Sequence, residues 1–161
     1  MDTDRRRRIR AAPIVLGAAR LALGILWLEE GITKYRAGFG AADIGFIVSN
    51  AAQNPRIPGY FALFGSQVMA PLEPLFGVGI PLLETALGVL LVLGILTRPA
   101  AIVSIGTLLL YWSSDQLITQ YPVMAALSVA VLAASGAAGR LGLTSMLLRV
   151  RPVRPALRPW L

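Results

Sequence analysis

"LGILWLEEGITKYRAG", Leu23 to Gly38, closes an apolar stretch that begins near Pro13. The whole stretch is long enough to cross a bilayer, which takes roughly 20 mostly apolar residues. Charge is expensive in hydrocarbon. Yet this segment carries Glu29, Glu30 and Lys34, with Arg20 just before it. How those charges are accommodated governs the reading of everything around them.

Composition makes lipid the natural solvent. The chain has 161 residues, of which 56% are hydrophobic and only 14% charged. A soluble domain of this size carries about a quarter charged residues. Cysteine and histidine are both absent. That excludes disulfides, thiol redox chemistry, Cys or His metal centres, His-ligated haem and any nucleophile paired with His. Acid–base work falls to Asp, Glu, Lys, Arg or Tyr. No metal and no covalently bound cofactor is expected, whereas a quinone or a lipid stays open as a ligand. The net charge of +7 is concentrated near the termini, in Arg5–Arg8 with Arg10 and in Arg149, Arg151, Arg154 and Arg158. Beside apolar spans, such clusters mark cytoplasmic ends and contacts with anionic headgroups rather than nucleic-acid binding.

Working outward from the quoted segment, four spans meet the length requirement, at about 13–33, 74–96, 99–118 and 122–139. Each opens at or near a proline, where the missing N–H costs nothing. The expected fold is therefore all-α: a polytopic membrane protein with four transmembrane helices in a bundle. Residues 1–12 form a basic N-terminal segment and 140–161 a basic tail. The first span is long and ends in charges, unlike a cleaved signal peptide. The basic residues at both termini and Arg98 fall on one side, against Lys34, Arg36 and Arg56 on the other. This asymmetry predicts an inner, plasma-membrane protein with both termini cytoplasmic.

Tight turns join spans two, three and four, but 35–73 is a long outer loop rich in aromatics. Loops of that length are often functional. Its apolar pieces read as short interfacial helices lying at the bundle mouth. Gly17, Gly24 and Gly31 recur every seven residues along span one, and Gly88 and Gly94 follow on span two. These are positions where helices can approach closely.

The charges supply the candidate site. Arg20, Gly24, Trp27, Gly31 and Lys34 share one helical stripe, and Glu30 and Lys34 have the spacing of an i,i+4 ion pair. Glu84 falls near the middle of span two. A carboxylate there must be protonated, paired or in contact with a wet cavity. With the spans aligned by depth, Arg20 is its expected partner. Asp115, near the outer end of span three, is expected to join Glu30, Lys34 and Ser114 in a polar cluster capped by Tyr111 and Trp112. Interfacial placement of Trp27 and Trp112 is the ordinary alternative. A structural pair that fixes helix register is the alternative for Arg20 and Glu84.

Two segments carry a family resemblance. "RLALGILWLEEGITKY" is similar to the opening of the DoxX/DoxD family, and "PLLETALGVLLVLGILTRPAA" to that family's second helix. Arg20, Gly24, Trp27, Gly31, Lys34, Glu84, Gly88, Gly94, Thr97 and Arg98 carry the likeness, which covers roughly 19–117. The "NP" and aromatic run of the first loop resemble the DoxD-like branch. That branch includes a membrane subunit of thiosulfate:quinone oxidoreductase. The resemblance implies a four-helix membrane bundle and partners among membrane or membrane-associated subunits.

Three functions compete on this reading. The first is an accessory, non-catalytic component of a larger membrane complex. The second is a quinone-interacting subunit of an oxidoreductase, with Trp27, Glu30, Lys34, Glu84 and Trp112 lining the site. Arg20 and Asp115 complete the ligand-binding candidates, and Glu84 or Glu30 would handle the coupled proton. The third is a small transporter. Whether the chain catalyses anything is left open by its residues.

Overall fold

Runs of Ala, Leu, Ile and Arg carry the chain from Asp2 to Ala37 as one helix, α1, in the computed structural model, which describes residues 2–150. Arg151, Arg154, Arg158 and Trp160 lie outside the described residues, as do the side chains of Arg5–Arg8, Arg10 and Arg149. The helix passes through Pro13 and runs a turn beyond Thr33. It stops at Gly38, which adopts a φ of 69°. The amide of Gly38 donates to the carbonyl of Tyr35 at 3.2 Å, and that of Phe39 to Lys34 at 3.0 Å. This pair of bonds is a Schellman stop, which favours glycine because the left-handed conformation crowds a Cβ.

The segment read as a long outer loop is mostly helical. Helix α2 covers Ala41–Gln53, and its first turn is capped by Asp43, whose carboxylate accepts from the Gly40 amide at 2.9 Å. Helix α3, Gly59–Phe64, runs through a π turn at Gly65–Met69 and a 3-10 turn at Ala70–Leu72 into α4, Glu73–Leu93. The chain is therefore helical well before Pro74, but Leu72 leaves the helical conformation and α3 packs back on α4, with Phe64 edge-on to Phe76 at 6.1 Å. That proline sits in the first turn of α4, where its missing N–H interrupts nothing. The chain then forms α5 (Thr97–Ser113), α6 (Tyr121–Ala133), α7 (Ser135–Ala138) and α8 (Leu143–Val150). Among the described residues the fold is all-α, with no strand.

Two stretches, Ala12–Ala37 and Gly59–Leu93, are long and apolar enough to cross a membrane, and α6 is a shorter apolar helix. The distribution of polarity is inverted relative to a water-soluble domain. Arg20, Glu84, Ser104 and Ser128 are buried, while Ile25, Leu82, Leu109 and Val129 face outward. Water-soluble folds bury their apolar side chains and rarely hide an unpaired charge. An apolar exterior around a polar interior suits a hydrocarbon surrounding.

The frame of the bundle is the antiparallel pair α1 and α4, fitted through glycine. A Cβ on Gly24 would lie 2.8 Å from the Val92 backbone nitrogen, and one on Gly88 would lie 2.8 Å from the Leu28 nitrogen. Gly31 is similarly closed against Thr85. Bare backbone at these three levels lets the two helices touch, as small residues do between membrane helices. Leu23, Trp27, Leu87, Leu91, Leu108 and Met124 fill the core between them and the α5–α6 pair.

Candidate functional site

The glycine contacts fix which residues of α1 and α4 face each other. Leu28 meets Gly88 and Gly31 meets Thr85, so Glu84 comes level with the last turns of α1. Aligning the two spans by their apolar limits instead places Glu84 beside Leu23–Trp27. The difference is about two turns: α1 runs one turn past Thr33, and the first turn of α4 stands beyond the end of α1, where Gly77 meets Gly40 and Ala41. The expected Arg20–Glu84 pair is consequently not formed.

Lys34 is the partner of Glu84. Its Nζ donates to Glu84 Oε1 at 2.6 Å and to Glu30 Oε2 at 3.1 Å. The Tyr111 hydroxyl donates to the same Glu84 Oε1 at 2.5 Å. Glu30 also accepts from the Tyr121 hydroxyl at 3.2 Å and from the Gln120 carboxamide. One lysine thus bridges two carboxylates, and α5 and α6 supply neutral donors to each. Glu84 is 0% exposed, and its Oε2 has no hydrogen-bond partner.

Aromatic rings wall this cluster. Tyr111 and Tyr121 stack with centroids 5.4 Å apart, Trp27 tilts against Tyr111 at 6.4 Å, and Lys34 lies 5.3 Å from the Tyr111 centroid. That last distance allows a cation–π contribution to holding the ammonium. Below the cluster the Trp27 indole donates to Ser104 at 2.7 Å, and Ser104 is bonded to Ser128 at 2.7 Å. Each polar side chain in this layer links two helices, so the network fixes register as well as charge.

Arg20 occupies a separate site at the other end of α4. Its Nη1 donates to the carbonyl of Leu91 and, at 3.2 Å, to that of Val92. Its Nε donates to the carbonyl of Ala138 at 3.1 Å. The last carbonyls of a helix lack intrahelical partners and carry partial negative charge. Arg20 answers both needs, and it pins α7 to the α1–α4 pair.

The remaining candidates divide. Trp27, Glu30, Lys34 and Glu84 come together. Trp112 is 67% exposed and points away from the cluster. Asp115 is also apart, because its carboxylate accepts from Asn54 Nδ2 at 3.0 Å and pairs with Arg56 at 3.1 Å. Ser114 donates to the Tyr111 carbonyl instead of joining the charges. Gln120 and Tyr121 are the members that pattern alone misses. Tyr121, Met124, Ser128 and Val131 follow helical spacing and are all buried, so the face of α6 was readable even though its partner was not.

Two cavities border the network. The first, about 310 Å³, lies between the α2–α3 hairpin and α4–α5, with Phe61, Phe64, Phe76 and Tyr111 in its wall. The second, about 550 Å³, lies between α5 and α6 beside Trp112 and Tyr121. Among the described residues no group of three or more acidic side chains converges in a way that could hold a metal ion.

A family model described as DoxX matches residues 15–115, more than half of the chain. No curated protein and no solved structure matches it.

Proposed function

Because the chain belongs to the DoxX family of membrane proteins, we propose that it is an integral subunit with four bilayer crossings, acting as an accessory component of a larger membrane complex. The crossings are α1, α4, α5, and α6 with α7, with α3 and its turns folded against the outer part of α4. Both ends are assigned to the cytoplasmic side of the plasma membrane, on the Lys and Arg asymmetry. The observation that carries the accessory reading is the pairing of the buried charges. Lys34 is committed to Glu84 and Glu30, and Arg20 to backbone carbonyls. Groups bound in this way hold helices together and leave the outer surfaces for lipid and partner subunits.

A second reading, a quinone-interacting redox subunit, is favoured by the apolar cavity that reaches Tyr111, whose hydroxyl is bonded to Glu84. A quinone site combines an apolar slot with a few placed polar groups. Purification from native membranes in mild detergent, with mass spectrometry of bound proteins and extracted small molecules, separates the two. A stoichiometric larger partner without quinone supports the accessory role. A lone or self-associated chain carrying quinone rejects it in favour of the redox role.

A further inference from the structure

Of the three glycines in α4, two are pressed against other elements. Gly77 abuts the backbone of Gly40 and Ala41, and Gly88 abuts Leu28. The third, Gly79, has no atom within 4 Å of where its Cβ would stand. Glycine inside a helix costs roughly 0.5–1 kcal/mol relative to alanine. Close packing does not require it at Gly79.

What lies beside Gly79 is the first cavity, of about 310 Å³. Helix α4 forms its floor through Leu75, Gly79 and Leu83, and Phe61 and Phe64 of α3 form its roof. The cavity is open to the outside, since Leu75, Leu83 and Leu110 in its lining are exposed, while Phe61, Met69 and Tyr111 form its buried wall. It reaches the range of small-molecule pockets, roughly 300–1,000 Å³, and its apolar, aromatic wall fits that class.

Polar groups meet the cavity at its α5 end. The hydroxyls of Thr107, Tyr111 and Ser114 are already donated, to Val103, Glu84 and Tyr111 respectively. Gln116 is different: half-buried, it stands where this cavity and the second one meet, and its carboxamide has no hydrogen bond among the described residues. A carboxamide offers both an acceptor and donors, enough to answer one carbonyl or hydroxyl.

We propose that this cavity binds a lipophilic molecule that presents a carbonyl or hydroxyl group at one end, with its body along Gly79 between α3 and α4 and that group at Gln116. Membrane quinones and the ester or alcohol groups of lipids share that chemistry. The cavity is the one on which the redox reading rests, but the site does not depend on that reading, since a lipid occupant would satisfy it without electron transfer.

The test is photolabelling of the full chain in detergent with a long-chain alcohol carrying a diazirine, read by peptide mass spectrometry. Label is expected in the segments 61–69 and 107–116. Gly79→Leu should cut it at least tenfold, because leucine fills the open space and favours the helix. Gln116→Leu should weaken it severalfold. Leu83→Phe fills the same space from the neighbouring turn and serves if Gly79→Leu does not fold. Competition by a short-tailed quinone assigns the occupant to that class, and competition by a diacylglycerol assigns it to lipid. If the lipid competes and the quinone does not, the redox reading falls while the site stands. Label that resists both competitors, persists in a folded Gly79→Leu or Leu83→Phe variant, or spreads over outward faces such as Leu109 and Val129 overturns the proposal.

Discussion

Lys34 Nζ lies 2.6 Å from Glu84 Oε1, across 50 residues of sequence, and the same ammonium reaches Glu30 at 3.1 Å. This bridge joins α1 to α4 at a level where Glu84 has no access to solvent. Removing one member of a buried pair leaves an uncompensated charge, at a cost of about 3–5 kcal/mol. Lys34→Met should therefore be severely destabilising, because it strands two carboxylates. Glu84→Gln should be milder, since Lys34 keeps Glu30 and the amide still accepts from Tyr111. The double variant should be more stable than the sum of the single losses predicts. Reversible unfolding in mixed micelles measures all three, and simple additivity would show that the bridge carries no coupling.

Arg20 donates to two carbonyls at the end of α4 and one in α7. Hydrogen bonds to charged groups contribute about 1.5–3 kcal/mol, and the guanidinium fork serves several acceptors from one rigid plane. Arg20→Gln should lower the melting temperature in detergent by several degrees. Arg20→Lys should recover only part of that loss, since an ammonium cannot span acceptors on both α4 and α7. Complete rescue by lysine would mean that charge alone, rather than fork geometry, secures the helix end.

The close approach of α1 and α4 gives a contrast between glycines. Any side chain at Gly88 meets the Leu28 backbone, which cannot move aside as a side chain can. Gly88→Ala should cost about 1–3 kcal/mol, the usual range for overpacking. Gly106 on α5 has open space at its Cβ position, and Gly106→Ala should be neutral or slightly stabilising. The same unfolding measurement compares them. Equal effects would mean that the α1–α4 contact is looser than the geometry indicates.

The helices were legible in the sequence, because apolar runs and the flanking Gly and Pro residues are local signals. Residues 15–115 match the family that the stripe from Arg20 to Lys34 and the Glu84–Arg98 segment resemble. The partners of the charges were not legible. Periodicity gives the buried face of one helix but not its sliding position against the next. Here that position depends on which glycine meets which side chain, and on α1 continuing to Ala37. A shift of that kind exchanged Arg20 for Lys34 as the partner of Glu84. Asp115 and Trp112 were misplaced for different reasons. Asp115 lies past the end of α5, where a helical projection no longer applies once the backbone turns left-handed, whereas Trp112 is still helical and falls on the exposed side of α5 next to buried Tyr111.

Asp115 adopts a φ of 60° just past the end of α5. Its amide donates to Trp112 and the Gln116 amide to Tyr111, which is the same stop that glycine makes at Gly38 and Gly94. The left-handed conformation costs a residue with a Cβ about 1–2 kcal/mol, so glycine would be the expected occupant. The carboxylate supplies what glycine lacks: it accepts from Asn54 and pairs with Arg56, tying the α2–α3 connection to α5. Close by, the Tyr60 hydroxyl meets Ser113 at 2.7 Å. Asp115→Gly should leave global stability nearly unchanged, as relief of the backbone offsets the lost contacts. It should raise amide hydrogen exchange locally, across 54–60. Asp115→Asn keeps an acceptor for Asn54 and loses the charge that Arg56 requires, so its exchange should fall between the two. Arg56 is largely exposed, which makes its share sensitive to salt. Added salt should therefore bring the unaltered chain toward the Asp115→Asn pattern and no further. Unchanged exchange over 54–60 in Asp115→Gly would show that the connection is held from α4 alone.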